Sequence, residues 1–475
     1  MTNPDFIDLY PIEFCRRHQL LVASGTDGQQ ILYTITKQPA YLIDTIGRQL
    51  GQSIHTQQIE ESELRQKINA AYETAASKRV ASANEVSSLT ELLLDADHTG
   101  RDDLLETDQL GPVVQLVNSL LLDAIAKGAS DVHLQPFEKS MAVRMRIDGV
   151  LCDLNPIPKS IQEEVISRLK VAGSMNIAEK RLPQDGRATV CVGDRIIDLR
   201  LASMPTSFGE RMVVRLLDKS ARLYTLSELG MGAGVQERFD DVIHAEHGLV
   251  LVTGPTGSGK STTLYAALNE LDTDLLNAVT LEDPIEYQLS GVSQTQINTK
   301  KGMTFASGLR SVLRQDPDII MVGEIRDNET AVMAIQAALT GHLVFSTLHT
   351  NDAASAVTRL LDLGIEPYLV SSSVLAVLAQ RLVRRRCTHC GGPESGGCEQ
   401  CRATGYRGRQ GIYELLLVDQ PVRHLITQRA AASEIRAAAV DSGMKLLRED
   451  GMRQVQAGVT TEQEIDRVTR RSAVS

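Results

Sequence analysis

The chain has no tryptophan, and only 4% of its 475 residues are aromatic. Its cores must therefore be built from Leu, Val, Ile and Ala, and the stacking platforms that bind single-stranded nucleic acid are scarce. Positive charge is not in excess either. The net charge of -11 argues against a protein that coats a phosphate backbone, so no nucleic-acid partner is expected, although a local basic patch stays compatible with the total. No run of 18 apolar residues occurs, so nothing reads as spanning a bilayer and any membrane role is expected to come through a partner. The opening "MTNPDFIDLYPIEF" lacks a basic stretch followed by an apolar one and does not read as a secretory signal. Repeats and low-complexity tracts are absent as well.

Cysteine is sparse and unevenly placed. Cys15, Cys152 and Cys191 are isolated and read as ordinary buried thiols in a reducing compartment. The other four crowd into "CTHCGGPESGGCEQC", residues 387–401, directly after the basic run Arg384-Arg385-Arg386. Cys387-Cys390 and Cys398-Cys401 are two CxxC pairs, the spacing that wraps four thiolates around Zn2+. Two disulfides are the alternative, which a chain without a secretory signal argues against. Four soft ligands leave no open position, so such a zinc is structural, and His389 is a competing ligand that four sulfurs do not need.

A chain of this length is expected to hold about two to four domains. Residues 1–95 mix apolar stretches with helical patterns such as "ESELRQKINAAYE", and the acidic, turn-rich residues 96–111 read as a linker. From 112 to 225 the texture is that of a mixed sheet with helices. Pro112 opens an apolar helix that Lys127 and Gly128 are placed to stop. Met141, Val143, Met145 and Ile147 alternate with polar residues, as do Ile197, Leu199 and Leu201. Asp148-Gly149 and Gly193-Asp194 read as hairpin turns. From 226 to 384 the apolar runs "GLVLVTG", "NAVTLED", "DIIMVGEIR" and "GHLVFSTLHT" alternate with helical segments, which predicts a parallel sheet covered on both faces. Residues 385–403 form the cysteine module, and 404–475 are expected to be mainly helical.

"GLVLVTGPTGSGKST" carries the chemistry. A buried strand ends in Gly254, Pro255, Thr256, Gly257, Ser258, Gly259, Lys260, Ser261 and Thr262, and a helix begins. The glycines let backbone N–H groups curl around a phosphate while the helix presents its positive end. Lys260 is expected to reach the β- and γ-phosphates of ATP, and Ser261 to ligate Mg2+. In "DPDIIMVGEIRD" an apolar strand ends in acid, but Gly323 stands where an Mg-binding Asp is usual and Glu324 follows; Glu324 is the candidate for polarising the attacking water. "TLEDPIEY" ends another strand with Glu282, Asp283 and Glu286, which read equally well as orienters of metal-bound water or as solvated caps. His342 and His349 bracket the strand of "TGHLVFSTLHTND"; a lone His is more often structural than catalytic or phosphate-sensing.

These blocks in this order, with "ASDVHLQPFE", "RLPQDGR" and "MPTSFGERMVVRLLD" upstream, resemble the secretion ATPase family, the hexameric motors of type II secretion and type IV pilus assembly. The resemblance runs from about residue 110 to the C-terminus. It implies an α/β fold: a RecA-like P-loop ATPase core preceded by a mixed α/β, PAS-like domain, with a zinc module and a helical C-terminal region. It implies a Walker A motif on Gly254 to Thr262, an acidic box that promotes Glu286, an atypical Walker B ending at Gly323-Glu324, and a His box that promotes His342 and His349. It also gives Arg187, Arg200, Arg211 and Arg215 a task, approach to the γ-phosphate, against the plain alternative of ion pairing with acids such as Asp198 and Glu210. Implied partners are five further copies in a hexamer, the cytoplasmic domain of a bitopic inner-membrane secretion protein through residues 1–95, and a polytopic platform protein, with the chain cytoplasmic and peripheral at the inner membrane. Type II secretion is the leading reading, pilus extension the second and a nucleic-acid translocase the alternative of another class. Retraction ATPases lack the tetracysteine module. The loop "GGPESGG" between the cysteine pairs is shorter than the family commonly shows.

Overall fold

In "MAVRMRI" the apolar residues fall on every second position, and the strand Ser140–Ile147 turns Met141, Val143, Met145 and Ile147 into a core while Ala142, Arg144 and Arg146 face outward. The same period places Ile197, Leu199 and Leu201 inward on Arg195–Thr206. The computed structural model describes residues 4–10, 12–24, 29–36, 40–50, 54–82, 102–103, 111–193, 195–218 and 224–469. It divides into two units, Met1–Ser220 and Ala221–Ser475.

In the first unit, strands Leu20–Ser24, Gln30–Thr34 and Ile54–Gln58 form a small sheet, and the predicted helix spans Glu61–Ser82. Phe6, Leu21, Leu32, Leu64 and Ile68 close its core. A larger sheet runs in the order Asp102–Asp103, Gln184–Val192, Arg195–Thr206, Gly209–Asp218, Ala129–Pro136, Ser140–Ile147, Val150–Asp153. Helices Pro112–Ala126 and Gln162–Ala172 supply Leu121, Ile125, Val165 and Leu169 to its apolar face. Pro112 opens the first of these, and Lys127 with Gly128 at φ 64° ends it as predicted. Asp148 and Gly149 both take positive φ, 48° and 81°, the mirror-image turn that matches strand twist. Gly193 also turns at positive φ, whereas Asp194 lies outside the described residues, as does nearly all of the 96–111 linker; Asp102–Asp103 pair in parallel with Val190 and Cys191. Of the three isolated cysteines only Cys15 is fully buried. Cys191 is half-buried because Val190 and Val192 take the inward register, and Cys152 sits on the edge strand.

Among its described residues the second unit holds seven strands: β1 Gly248–Thr253, β2 Ala278–Glu282, β3 Val292–Gln296, β4 Ile319–Val322, β5 Leu343–Leu348, β6 Val374–Arg386 and β7 Tyr406–Leu417. Their order is β3-β2-β4-β5-β1-β6-β7, parallel throughout except for β7 against β6. Every residue of β1, β2, β4 and β5 is buried, as continuous apolar runs between helical layers require. The region expected to be mainly helical begins instead with β7. Its outer half is wet and its inner half buried on both faces, so neither period shows in the sequence. Four helices then follow, Gln420–Thr427, Ala432–Asp441, Leu447–Gln456 and Glu462–Thr469.

Pairing of β6 with β1 stops at Ala379, yet β6 and β7 stay paired to Arg386 and Tyr406. The extra residues form a two-stranded ribbon about 20 Å long that carries the cysteine loop at its tip. Arg384 anchors the ribbon: its guanidinium meets Glu464 Oε1 at 2.6 Å and stacks on the Tyr406 ring at 4.2 Å. Arg467 adds a second cation at 2.7 Å from Glu464 Oε2. Burial opposes charge on Glu464, but these bonds outweigh it and hold the carboxyl down at about 2. A depressed carboxyl stabilises the fold above its ordinary value near 4.5 and loses that contribution as pH falls towards 2. Replacing Glu464 with Ala strands two cations at the ribbon base and is expected to cost about 3 kcal/mol, read as a lower Tm at neutral pH and a smaller loss of stability on acidification.

Candidate nucleotide and cysteine sites

The β1 strand is apolar to its last turn, and then glycine lets the chain do what no side chain permits. Gly254 takes φ 152°, and a Cβ there would stand 2.5 Å from the Gln380 carbonyl oxygen of β6. Gly259 takes φ 88°, and its Cβ would lie 2.8 Å from Gln380 Nε2. The loop between them therefore packs directly against β6 and delivers the chain into the helix Lys260–Glu270. The first N–H groups of that helix have no partner within it, so a positive end faces the loop. Ser258 is buried and its hydroxyl has no partner among the described residues, an orphan that a phosphate oxygen would satisfy. Ser261 is exposed at the helix start, where a hydroxyl suits Mg2+.

Lys260 is folded back onto the loop, its ammonium donating to the carbonyls of Gly254 at 2.8 Å and Pro255 at 3.2 Å. Burial pushes it down to about 8; Arg381 adds to the shift and Glu324 opposes it.

Glu324 follows β4 by two residues and is mostly buried. Its Oε1 meets the Arg326 guanidinium at 2.5 Å and its Oε2 lies 3.4 Å from His349 Nε2. Burial lowers His349 below the ordinary imidazole range; Lys260 and Arg326 add to this and Glu324 pulls the other way, so the ring is neutral at pH 7. Space is tight at Gly323, where the Asp is missing. A Cβ on Gly323 would sit 3.2 Å from the Leu281 carbonyl oxygen, the acceptor of Gly323 N–H, and 3.5 Å from the Phe305 ring.

The structure thus brings Lys260, Glu324 and His349 together at the C-terminal edge of one parallel sheet, where ligands of such sheets bind. Glu286 is half-buried in the loop after β2, its N–H donating to the Tyr265 hydroxyl at 3.2 Å. His342 is not brought there. It precedes β5, about 20 Å along the strand from His349, and its Nδ1 lies 2.8 Å from the Ala337 carbonyl, tying off the preceding helix.

The four arginines lie in the first unit. Arg187, Arg200 and Arg215 stand directly opposite one another on adjacent strands, and the row continues to Asp131 and Arg146. Asp131 takes Arg215 at 3.0 Å and Arg146 at 3.8 Å. Arg211 shares the face, four residues along. Glu210, weighed as a partner for these arginines, instead turns inward to the buried Lys170 at 2.5 Å.

At the ribbon tip the cysteine Sγ atoms lie 3.8 Å apart for Cys387 and Cys398, 3.7 Å for Cys390 and Cys401, and 3.7 Å for Cys398 and Cys401. A tetrahedron of sulfurs about 2.3 Å from a central Zn2+ has edges of about 3.8 Å. All four ligand atoms fall within 4.8 Å of one another, so the cluster is compatible with one zinc ion.

Residues that the sequence did not assign to this site complete it: Arg326 on Glu324, Gln380 against the glycines, and Arg381, which donates to Asn351 O at 2.9 Å and holds the segment after His349. The available signal was only adjacency, Arg326 lying two positions beyond Glu324.

Comparison with known proteins bears directly on this arrangement. The family described as Type II/IV secretion system protein matches residues 106–467. The chain belongs to the type II/IV secretion system protein family. Within it, the chain is 48% identical over 470 residues to the type II secretion system protein HxcR of Pseudomonas aeruginosa, covering 98% of this chain and 100% of that one. It is 43% identical to the type II secretion system ATPase E of Vibrio cholerae, with 97% of each covered. Among solved structures it resembles the pilus retraction motor PilT with bound ADP, at 28% identity and TM-score 0.52 over 74% of this chain and 95% of that one. The Legionella pneumophila ATPase DotB shares the fold at 21% identity and TM-score 0.57, over 78% of this chain and 97% of that one. A type II/IV secretion system protein with this loop is an ATPase, and ATP with Mg2+ is the cofactor pair the family implies.

The lowered Lys260 sets a pH dependence. Phosphate oxygens restore its proton, so nucleotide binding takes up a proton where the free ammonium has begun to lose it. Affinity for ATP is expected to fall by up to about tenfold per pH unit above about 8. Calorimetry at pH 8.5 in two buffers of different ionisation enthalpy should show net proton uptake, absent at pH 6.5.

Proposed function

We propose that this chain hydrolyses ATP to power protein export by a type II secretion system, moving its two units against each other and so driving pseudopilus assembly through an inner-membrane platform. The meeting of Lys260, Glu324 and His349 around a glycine loop carries the hydrolytic part. Identity over nearly the whole length of relatives named for type II secretion favours export over pilus extension.

In this reading Lys260 leaves the Gly254 and Pro255 carbonyls for the β- and γ-phosphates. Gly254 to Thr262 form the cradle, and Ser258 gives its orphan hydroxyl to a phosphate oxygen. Ser261 holds Mg2+, which would neutralise charge on the phosphates. Glu324, released by Arg326, accepts the proton of the attacking water, and Glu286 orients that water from the loop after β2. Neutral His349 donates an N–H towards the γ-phosphate. Arg187, Arg200, Arg211 and Arg215 approach the γ-phosphate in this reading, where guanidinium groups would stabilise charge on the leaving phosphates. His342 has only a positioning place, at the far end of β5.

The domain plan follows the same reading: 1–95 docks on the cytoplasmic part of a bitopic inner-membrane protein, 96–111 links, 112–225 is the mixed α/β domain, 226–384 the ATPase domain, 385–403 the cysteine module that faces the platform, and 404–475 the helical C-terminal region. Six copies assemble, at the cytoplasmic side of the inner membrane. Among the described residues no helix is long and apolar enough to cross a membrane, which fits attachment through partners. Zn2+ at Cys387, Cys390, Cys398 and Cys401 would fix the ribbon tip.

Glu324→Gln should lower kcat by about 10²-fold or more while ATP affinity stays within twofold; normal turnover would remove the hydrolytic assignment. Metal analysis of the purified chain should return one zinc per copy. Cys387→Ser should lose it and lower the Tm, and full zinc retention would reject the four-sulfur site.

A further inference from the structure

Glu282 closes β2 inside the acidic box, and its charge and position alone would aim it at the metal. Its surroundings do not. The side chain is only 4% exposed and both oxygens are engaged. Oε1 accepts from Thr280 Oγ1 at 2.5 Å and from Gln294 Nε2 at 3.0 Å, and Oε2 accepts from the Tyr265 phenol. Three donors hold the buried carboxylate inside the fold, committing it to internal bonds rather than to an ion above the strand ends.

The same donors reach the loop that follows. The Tyr265 oxygen accepts the N–H of Glu286 at 3.2 Å. Gln294 on β3 donates to the Tyr287 carbonyl at 2.9 Å and accepts from Leu289 N–H at 2.7 Å. The Tyr287 ring packs edge-on to Tyr265, with centroids 5.9 Å apart. Glu282 is thus the hub of a buried cluster that ties down the backbone of residues 286, 287 and 289. Tyr265 lies five positions after Lys260 on the helix that begins at the phosphate loop. Burial and the bond to Glu282 keep its hydroxyl far above the ordinary phenol range, so it remains a donor to the carboxylate.

We propose that Tyr265 and Glu282 are positioning residues that fix Glu286 relative to the phosphate-loop helix, so that the acidic loop moves with that helix when nucleotide seats. The inference rests on the reading of Glu286 as an orienter of the attacking water. A phenol suits the task because it is rigid and one oxygen serves as donor to Glu282 and acceptor from the Glu286 backbone at once. Misplacing a catalytic group by an ångström costs up to about 10²-fold in rate without weakening substrate binding.

The test uses the assembled full-length protein with ATP and Mg2+. Tyr265→Phe keeps the ring and deletes only the oxygen. It should lower kcat about tenfold or more with ATP affinity and KM within twofold. In a Glu286→Asp background the same change should cost less than twofold, because the two act through one group. Glu282→Gln keeps the shape but turns an amide N–H towards donors, and should reproduce the kcat-only loss if Tyr265→Phe fails to fold. Unchanged kcat in these variants, or a full additional loss in the Glu286→Asp background, overturns the inference while leaving Glu286 intact. Full turnover in Glu286→Gln overturns the Glu286 reading itself, and the inference with it.

Discussion

The glycine loop can reach its shape only because its two glycines carry no Cβ where it packs against β6. Gly254 presses on the Gln380 carbonyl and Gly259 on the Gln380 amide, at separations where a Cβ would collide. Gln380 also accepts the Thr263 hydroxyl at 2.7 Å, so one side chain touches the loop's outlet and the first turn of its helix. The phosphate cradle is thus a joint property of β1, the loop and β6.

Around that contact, charge is held in check. Lys260 bonds to loop carbonyls and Glu324 to Arg326, so the two charges that a triphosphate and a water would recruit are each occupied by a neighbour. Both neighbours are weak holders: carbonyls compete poorly with phosphate, and Arg326 is largely exposed, where an ion pair contributes about 1 kcal/mol or less. Glu282 is the opposite case, a carboxylate committed to three internal donors. Acids that end neighbouring strands of one sheet edge therefore divide into a weakly held set and a fixed one.

Much of this was legible beforehand, for reasons that vary by element. β1, β2, β4 and β5 are continuous apolar runs that can only be buried on both faces, and the phosphate loop follows from glycine spacing with Lys260 and Ser261 at its end. The cysteine site was legible because CxxC spacing is a local constraint. β7 was not, since half of it is a wet ribbon and half a buried strand, and a pattern that changes midway has no period. The places of Tyr265, Gln380 and Arg381 at the site were hidden because they lie in contacts across 17, 117 and 30 residues, respectively, to Glu282, Thr263 and Asn351. His342, which only the resemblance promoted, lies apart because the extended β5 carries it and His349 to opposite ends of the sheet.

The ribbon of β6 and β7 adds a mechanical property. It is rooted where Gln380 touches the glycines and ends at the cysteine cluster, with Arg384 and Glu464 clamped partway along. A stiff arm about 20 Å long converts a tilt of about 10° at its root into roughly 3–4 Å at its tip. A small displacement beside the glycines would thus be read out, enlarged, at the four-cysteine tip.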